Sequence, residues 1–216
     1  MRTAIVLGGH RPALSVMQRE LAGCDRVICA DRGADWAMDV GVVPDLMLGD
    51  MDSVHPMTLE RLQRLQVPEH RSPVHKDETD GQLAVDEALA CGSSEVVLLG
   101  AFGGRYDHTL STYMLLRRLG EAGVRAWAVG DGGRVEILGA GRELELRGRV
   151  GETFSVMPFS DGMEVEYIRG AEYPLEGGIP MPMTLPLGVS NVLAEDTVRI
   201  RLRSGWGLVF IGMDIR

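Results

Sequence analysis

Two aspartates stand one residue apart, directly after an apolar segment. Asp50 and Asp52 follow the run DLML, within LGDMDSV at residues 48–54. If this segment is extended, side chains two residues apart point the same way, which brings the two carboxylates close together. Ionised carboxylates at such a separation repel each other unless they have strong solvation, a shared proton or a cation between them. Oxygen ligands favour Mg²⁺ or Ca²⁺ over zinc. The structural alternative is a solvated acidic turn with Ser53 as a helix cap.

Further aspartates accompany this pair. Asp31 closes an earlier apolar run in CADRGAD, and Asp77 and Asp80 belong to HKDETDG at residues 75–81, ahead of a predicted helix. Asp80 or its neighbour Thr79 also has a structural interpretation, as the residue that caps this helix. Because the acidic residues follow strands or precede a helix, the sequence predicts that they meet at one edge of a sheet.

A glycine-rich turn could supply the complementary anion site. The sequence GAFGGRYDH, residues 100–108, follows an apolar run and opens a segment of helical periodicity. Gly103 and Gly104 let backbone N–H groups approach an anion at a helix N-terminus, and Arg105 offers a planar fork for phosphate oxygens. Asp107 could orient Arg105, contact a ribose or cap the helix, and a tight turn without a ligand explains the glycines equally well. Secondary candidates for phosphate contact are Lys76 and the turn Gly8-Gly9-His10.

An acidic metal cluster that faces an anion-binding turn is what magnesium-dependent phosphoryl transfer from a nucleotide requires. The sequence contains neither a GxxxxGK[ST] loop nor a spaced GxGxxG fingerprint, which argues against the usual P-loop and dinucleotide sites. Acidic residues outnumber basic ones by 31 to 22, giving a net charge of -9 without any basic run. Nucleic acid is therefore not an expected partner.

The pattern of apolar segments predicts the fold that positions these residues. Four runs in the first half end on glycine, aspartate or both: AIVLGG (4–9), RVICAD (26–31), DLMLGD (45–50) and EVVLLGAFGG (95–104). Continuous apolar runs are typical of strands covered on both faces. Helical segments separate them, and Thr79 with Gln82 forms a capping box at the start of one. This alternation predicts an α/β fold with a mainly parallel, doubly wound sheet.

The second half of the chain has a different texture. From about residue 136, short alternating segments separated by Gly, Pro and Ser predict a smaller antiparallel, β-sandwich-like unit. The stretch EYPLEGGIPMPMTLPLG at residues 172–188 is interpreted as an ordered loop, because Met, Leu and Ile are frequent in it. The predicted domains are therefore an α/β domain at residues 1–135 and a β-rich domain at residues 136–216.

Composition indicates an ordinary globular protein, with 45% hydrophobic and 25% charged residues among 216. No apolar run approaches the roughly 20 residues of a membrane helix, so no membrane association is expected. The three cysteines form no CxxC pair, and MRTAIVLGGHRP lacks a signal-peptide cleavage pattern. We expect a cytoplasmic protein with reduced cysteines.

The chain closely resembles the thiamin pyrophosphokinase (thiamine diphosphokinase) family over nearly its whole length. Five motifs carry this resemblance, in the order ADRGAD, PDLMLGDMDS, KDETD, GAFGGRYDH and GVSN. The resemblance implies that ATP and thiamin give AMP and thiamin diphosphate, through attack of the thiamin hydroxyl on the β-phosphorus. It also implies that the α/β domain is catalytic and binds ATP and Mg²⁺, whereas the β-rich domain binds thiamin.

The resemblance assigns roles to residues of this chain. Mg²⁺ and the phosphates would be held by Asp31, Asp50, Asp52 and Asp77. Asp80 would support that cluster, and the proposed catalytic aspartates are Asp50, Asp52, Asp77 and Asp80. The ATP and phosphate contacts would also include Lys76, Gly103, Gly104, Arg105 and Asp107. Ser190 and Asn191 would bind thiamin in a cleft between the subunits of a homodimer, with Trp206 or Phe210 stacking on the ring.

Two alternatives remain open from the residues alone. One is a diphosphokinase that acts on another hydroxymethyl heterocycle, such as a pterin. The other is a protein of the same fold that binds a nucleotide or thiamin diphosphate without catalysis. The presence of all the acidic motifs argues against the second alternative, and GVSN together with the β-rich domain favours thiamin.

Overall fold

The computed structural model describes residues 1–71, 78–103 and 105–212. The chain divides into two compact units, Met1–Asp131 and Gly132–Arg216. Three residues with predicted roles in the site, Lys76, Asp77 and Gly104, lie outside the described residues.

Strands and helices alternate along the first unit. The described elements are β1 (Arg2–Val6), α1 (Leu14–Leu21), β2 (Arg26–Ala30), α2 (Gly33–Asp39), β3 (Leu46–Gly49), α3 (Pro56–Arg64), β4 (Glu69–Arg71), α4 (Asp80–Ala90), β5 (Glu95–Leu99), α5 (Tyr106–Glu121) and β6 (Arg125–Gly130). The apolar runs of the sequence form β1, β2, β3 and β5. The sequence did not predict β4, a three-residue strand of sequence EHR that pairs with β3.

The strands of the first unit form a parallel sheet in the order β4-β3-β2-β1-β5-β6. The chain therefore moves outward from β1 to one edge and then returns to the other side of β1. The turns after β1 and β5 consequently diverge at a topological switch point, where open α/β sheets bind their ligands.

Helices cover both faces of this sheet. On one face, side chains from α1, α2 and α3, including Met17, Ala34 and Leu62, share a buried cluster with alternate strand residues. The intervening strand residues, such as Ile5 and Ile28, are equally buried, and α4 contacts β1, β2 and β3 while α5 contacts β6. The doubly wound arrangement predicted from the sequence is confirmed. Within the described ranges, no helix has the length and hydropathy needed to cross a membrane.

The second unit is built entirely of strands in the residues described. These are β7 (Gly133–Gly139), β8 (Glu143–Arg147), β9 (Thr153–Pro158), β10 (Glu164–Arg169), β11 (Leu175–Pro180), β12 (Asn191–Val192), β13 (Thr197–Ser204) and β14 (Trp206–Ile211). They pair antiparallel in the orders β12-β9-β14-β7 and β11-β10-β13-β8.

A common apolar core joins the two antiparallel layers of the second unit. Val156 and Val209 from one layer and Val165 and Ile200 from the other belong to the same buried cluster. This confirms the predicted β-sandwich-like fold. The interpretation of residues 172–188 as a loop was wrong for Leu175–Pro180, which forms an edge strand. Most residues of that strand are exposed, so the sequence carries no apolar signal for it.

Gly33 fixes α2 against β1. A Cβ atom at Gly33 would lie 1.9 Å from the carbonyl oxygen of Val6, a backbone atom that cannot rotate away. We therefore expect Gly33→Ala to lower the free energy of unfolding in urea by about 3 kcal/mol. Gly23→Ala is the control, because its Cβ would meet only the flexible Arg2 guanidinium, and its effect should stay within about 0.5 kcal/mol. Equal effects of the two substitutions would contradict this account.

Candidate active site

A cavity of about 580 Å³ opens at the carboxyl ends of the parallel strands of the first unit. Its walls come from the turns after β1, β2 and β5, from the first turn of α4, and from α5. The lining residues with polar or charged side chains are Asp31, Ser53, Thr79, Asp80, Arg105, Asp107, His108, Ser111 and Thr112. We call this space the carboxylate lobe. Its position at the switch point agrees with the ligand position expected for such a sheet.

Asp31 and Asp80 form the inner part of the carboxylate lobe. Thr79 caps α4, because its hydroxyl oxygen accepts the Gln82 backbone N–H at 3.2 Å. The cap does not depend on the Asp80 carboxyl, which is hydrogen-bonded to Asp31. Burial, then the hydrogen bond and the negative charge of Asp80, raise the pKa of Asp31 to about 7. Two carboxyl groups that share a proton in this way are the pair that a cation could separate.

Asp50 and Asp52 lie at the end of β3, but not in extended backbone as the sequence argument assumed. The strand ends at Gly49, and Met51 has a φ of 66°. This turn still brings the two residues together, since the Asp52 backbone N–H donates to Asp50 Oδ1 at 3.0 Å. The charge of Asp50, followed by a hydrogen bond from its side chain, raises the pKa of the exposed Asp52. The predicted proximity therefore arises from a turn.

Gly49 allows the Asp31 carboxylate to approach the turn that carries Asp50 and Asp52. It has a φ of 124°, and a Cβ atom there would lie 1.9 Å from Asp31 Oδ1. Asp31 itself has a φ of 46°, and its Oδ1 lies 3.4 Å from the backbone nitrogen of Met51, which donates to it. The glycine in GDMDS thus creates the space in which Asp31 meets the turn that carries Asp50 and Asp52.

Arg105 and Asp107 face each other at the start of α5. The Asp107 carboxylate accepts from Arg105 Nε at 3.1 Å and from a terminal guanidinium nitrogen at 2.5 Å. The hydrogen bond from Arg105 lowers the pKa of Asp107, and the same contact raises the pKa of Arg105. Asp107 Oδ1 also accepts the backbone N–H of His108. Of the roles considered for Asp107, the structure shows the orientation of Arg105 and a local contact at the helix start.

A second cavity, of about 800 Å³, shares Gly8, Gly9, Gly103, Arg105 and His108 with the first. We call it the arginine lobe. It adds Arg11, Arg32 and Trp36, with the two guanidinium carbons 5.5 Å and 5.9 Å from the Trp36 ring centroid. The Trp36 indole N–H donates to the Gly9 carbonyl oxygen at 3.2 Å.

Sequence reasoning missed the arginine lobe. Arg32 and Trp36 are four residues apart in DRGADW, a spacing that places both on one side of α2 and could have indicated their contact. Arg11 could not be assigned in this way, because it belongs to the turn after β1. The grouped arginines favour an anion here, although Arg11 is paired with Asp39 and Asp131 also lines this lobe.

The acidic residues fit a hard cation by their chemistry. In the described part of the chain, no three His, Cys, Asp or Glu side chains are grouped closely enough to enclose a metal. Burial and then the contact with Asp80 nevertheless raise the pKa of Asp31, and the charge of Asp50 raises the pKa of Asp52. Mg²⁺ commonly takes one or two carboxylates and completes its coordination with water and substrate phosphates. The donors therefore suit a cation that arrives with a polyphosphate.

The residues predicted to bind thiamin lie in the second unit. Asn191 is buried; its Oδ1 accepts the backbone N–H groups of Tyr173 and Val192, and its Nδ2 donates to the Tyr173 carbonyl oxygen at 2.8 Å. Ser190 is exposed, with a φ of 60°. Trp206 opens β14, and its ring lies against Gly139, where a Cβ atom would meet the indole at 2.7 Å. The structure gives Asn191 a structural function within its own unit.

Asp31→Asn should stabilise the protein in a chelating buffer. Folding raises the pKa of Asp31 from 3.8 to about 7, so the folded protein retains a proton that the unfolded chain releases. The free energy of unfolding therefore falls as pH rises through this interval. Asparagine removes that loss, and we expect a gain of roughly 1–2 kcal/mol near pH 8 but little near pH 4. Urea unfolding at both pH values measures it; an equal gain at both would contradict the assigned cause.

Comparison with known sequences finds two family domains along the chain. Residues 17–128 match the model of the thiamin pyrophosphokinase catalytic domain, and residues 143–206 match that of the thiamin pyrophosphokinase vitamin B1 binding domain. A thiamine pyrophosphokinase of Bacillus subtilis (strain 168) is 26% identical over 148 residues, covering 68% of this chain and 69% of the relative. Thiamine pyrophosphokinase 1 of Oryza sativa subsp. japonica is 25% identical over 197 residues, covering 80% and 74%.

Solved structures have the same fold. A thiamine pyrophosphokinase from Bacillus subtilis superposes with a TM-score of 0.88 at 22% identity, covering 100% of both chains. A thiamin pyrophosphokinase from Geobacillus thermodenitrificans gives 0.82 at 24% identity, covering 99% of this chain and 98% of the other. At these identities the likeness supports the fold alone. The catalytic-domain match, however, spans more than half of the chain and confirms the resemblance of the motifs: the chain belongs to the thiamin pyrophosphokinase family.

Proposed function

We propose that the carboxylate and arginine lobes of the first unit catalyse the transfer of a diphosphoryl group from ATP to the hydroxyl of thiamin, giving thiamin diphosphate and AMP. The observation that carries this assignment is the union, in adjoining cavities, of paired carboxyl groups with a glycine turn and arginines. Such a combination suits a substrate that is both polyanionic and cation-bound. Membership of the family supplies the reaction class.

Asp31, Asp50, Asp52 and Asp77 would hold Mg²⁺, with Asp80 supporting Asp31 through their shared hydrogen bond. Bound there, the cation would neutralise charge on the β- and γ-phosphate oxygens and fix their orientation. The raised pKa values of Asp31 and Asp52 support this role, because the negative charges of Asp80 and Asp50 contribute to them and a cation would offset those charges.

The arginine lobe supports binding of the nucleotide. Arg105 would turn from Asp107 to phosphate oxygens, for which its planar fork is suited. Backbone N–H groups of the glycine turn, including Gly103 and Gly104, would approach the same phosphates, with Lys76 and Asp107 as further contacts. Arg11 and Arg32 extend the cationic wall beyond the carboxylate lobe. In this proposal the diphosphoryl end of ATP lies at the aspartates and the AMP portion lies toward the arginines.

The transfer forms one oxygen–phosphorus bond and breaks another. The thiamin hydroxyl oxygen attacks the β-phosphorus, the bond to the oxygen that bridges the α- and β-phosphates breaks, and AMP leaves with that oxygen. The hydroxyl proton passes to one of the clustered aspartate carboxylates, which acts as the general base. The remaining carboxylates and Arg105 keep the reacting groups aligned.

The second unit would bind thiamin. The match of residues 143–206 to a vitamin B1 binding domain supports thiamin over a pterin as the acceptor. Ser190 would contact the ring system directly, since its side chain is exposed. Asn191 would contribute by fixing the backbone beside Ser190, because its amide is already engaged. Trp206 or Phe210 would stack on a ring. In this proposal residues 1–135 are catalytic and residues 136–216 recognise the acceptor.

We also propose that the protein works in the cytoplasm as a homodimer. The three cysteines are free thiols, which suits a reducing compartment. The exposed apolar side chains of Met183, Leu185 and Leu187 lie close together in the sequence of the second unit, as is typical of a surface that a partner covers.

Purified protein should produce AMP from ATP and Mg²⁺ when thiamin is added. Hydroxymethylpterin in place of thiamin is the comparison, and chromatography of the nucleotides measures AMP in both. AMP with the pterin alone would change the assigned acceptor. Absence of AMP with either acceptor would favour a binding protein without catalysis.

Asp52→Asn should lower turnover by about 100-fold or more at saturating Mg²⁺, because a neutral amide is a poor substitute for a charged ligand. The fold should persist, since the Asp52 side chain is exposed. Asp86→Asn is the control, an exposed carboxylate that pairs with Arg118 on the helical surface. Near-normal turnover of Asp52→Asn would remove Asp52 from the site.

A further inference from the structure

We propose that Asp35 is a positioning residue for the Asp loop, defined as residues 50–54, and that it sets the affinity of this loop for Mg²⁺. The Asp35 carboxylate accepts the backbone N–H of His55, with distances of 3.3 Å and 3.1 Å to its two oxygens. His55 immediately follows the loop. The inference rests on the proposed function in one respect, namely that Asp50 and Asp52 hold the cation.

Two carboxylates of the motif ADRGAD, those of Asp31 and Asp35, therefore accept backbone N–H groups near the two ends of the Asp loop. Asp31 lies at the end of β2 and accepts the backbone N–H of Met51. Asp35 lies four residues later, in the first turn of α2, and accepts the N–H that follows the loop. The loop is thus held from outside through its backbone, and within it Asp50 Oδ1 accepts the Asp52 backbone N–H.

The α2 helix gives Asp35 a fixed base. Gly33, Ala34 and Ala37 of this helix are buried, and Gly33 packs directly on the Val6 carbonyl group. A shift of α2 would open this contact at the centre of the sheet. Asp35 therefore holds the Asp loop in a fixed position relative to β1 and β2. Supporting hydrogen bonds orient metal ligands in the same way.

The loop needs such support because part of its backbone is strained. Met51 adopts a φ of 66°, a conformation that costs a non-glycine residue free energy and persists only where the surroundings enforce it. The side chains of Met51 and Val54 are 5% and 6% exposed and belong to the apolar core. They anchor the loop on its inner side, whereas the hydrogen bond that the His55 backbone N–H donates to Asp35 fixes where the loop joins α3.

A purely structural role for Asp35 makes a different prediction. An acidic residue in the first turn of a helix interacts favourably with the helix dipole, and its loss would lower stability alone. That role depends on the negative charge, whereas positioning requires only an acceptor oxygen. Asparagine retains such an oxygen without the charge, so Asp35→Asn and Asp35→Ala separate the two possibilities.

The test compares Asp35→Ala, Asp35→Asn and Asp45→Ala in the full chain. Asp45 is a matched control, because its carboxylate also accepts one backbone N–H, that of Val27 at 2.7 Å. Asp45 lies before β3, whereas the Asp loop lies after β3. Hydrogen–deuterium exchange of peptides covering residues 50–55 reports the loop directly. Mg²⁺ titrations of AMP formation, and of the thermal shift with ATP, report cation affinity.

We expect Asp35→Ala to accelerate exchange in residues 50–55 and to raise the Mg²⁺ concentration for half-maximal effect by about 10- to 100-fold. Asp35→Asn should show nearly the exchange rate and Mg²⁺ dependence of the unsubstituted protein. Asp45→Ala should change neither the exchange of residues 50–55 nor the Mg²⁺ dependence. Unaltered exchange in Asp35→Ala would overturn the proposal, as would a shift in Mg²⁺ dependence no larger than that of Asp45→Ala. If unsubstituted protein makes no AMP yet Asp35→Ala loosens the loop and weakens Mg²⁺ binding, the proposed reaction fails while the role of Asp35 stands.

Discussion

The repulsion between neighbouring carboxyl groups is the constraint on which the candidate active site depends. Asp31 meets Asp80 across the carboxylate lobe, and Asp50 meets Asp52 within one turn. Neither contact is favourable when all four groups are ionised, and the raised pKa of Asp31 expresses part of that cost. In the proposed function a cation would offset this repulsion, and the carboxyl groups would then favour the binding of a cation–polyphosphate complex.

The fold brings these carboxyl groups together. Parallel strands place the ends of β2 and β3 at one edge, and Gly49, which has no Cβ atom, lets the Asp31 carboxylate approach the turn after β3. The supporting contacts are made mostly through backbone N–H groups, which cannot titrate. The acceptors of these N–H groups include the Asp31 and Asp35 carboxylates, so acidic side chains of the site also hold the loop that follows β3.

The two kinds of charge are unevenly divided between the adjoining cavities. The carboxylate lobe is lined by Asp31, Asp80 and Asp107, the arginine lobe by Arg11, Arg32 and Asp131, and Arg105 lines both. A nucleotide bound with a cation has the complementary distribution. Because Asp107 already holds the Arg105 guanidinium, the ligand-free protein compensates this arginine internally until a phosphate competes for it.

The sequence by itself determined the kinds of residue at the site, the ends of the apolar strands, the Thr79 cap and the family. These are local signals, carried by residue type and short spacing. Only the tertiary structure decided that Asp31 pairs with Asp80, that Asp35 holds His55, and that Arg11 joins Arg32 around Trp36. Each of these contacts joins segments far apart in the chain, and their geometry depends on strand register and helix packing. The edge strands β4 and β11 were missed for the same reason, because pairing with a neighbouring strand, and not an apolar pattern of their own, defines them.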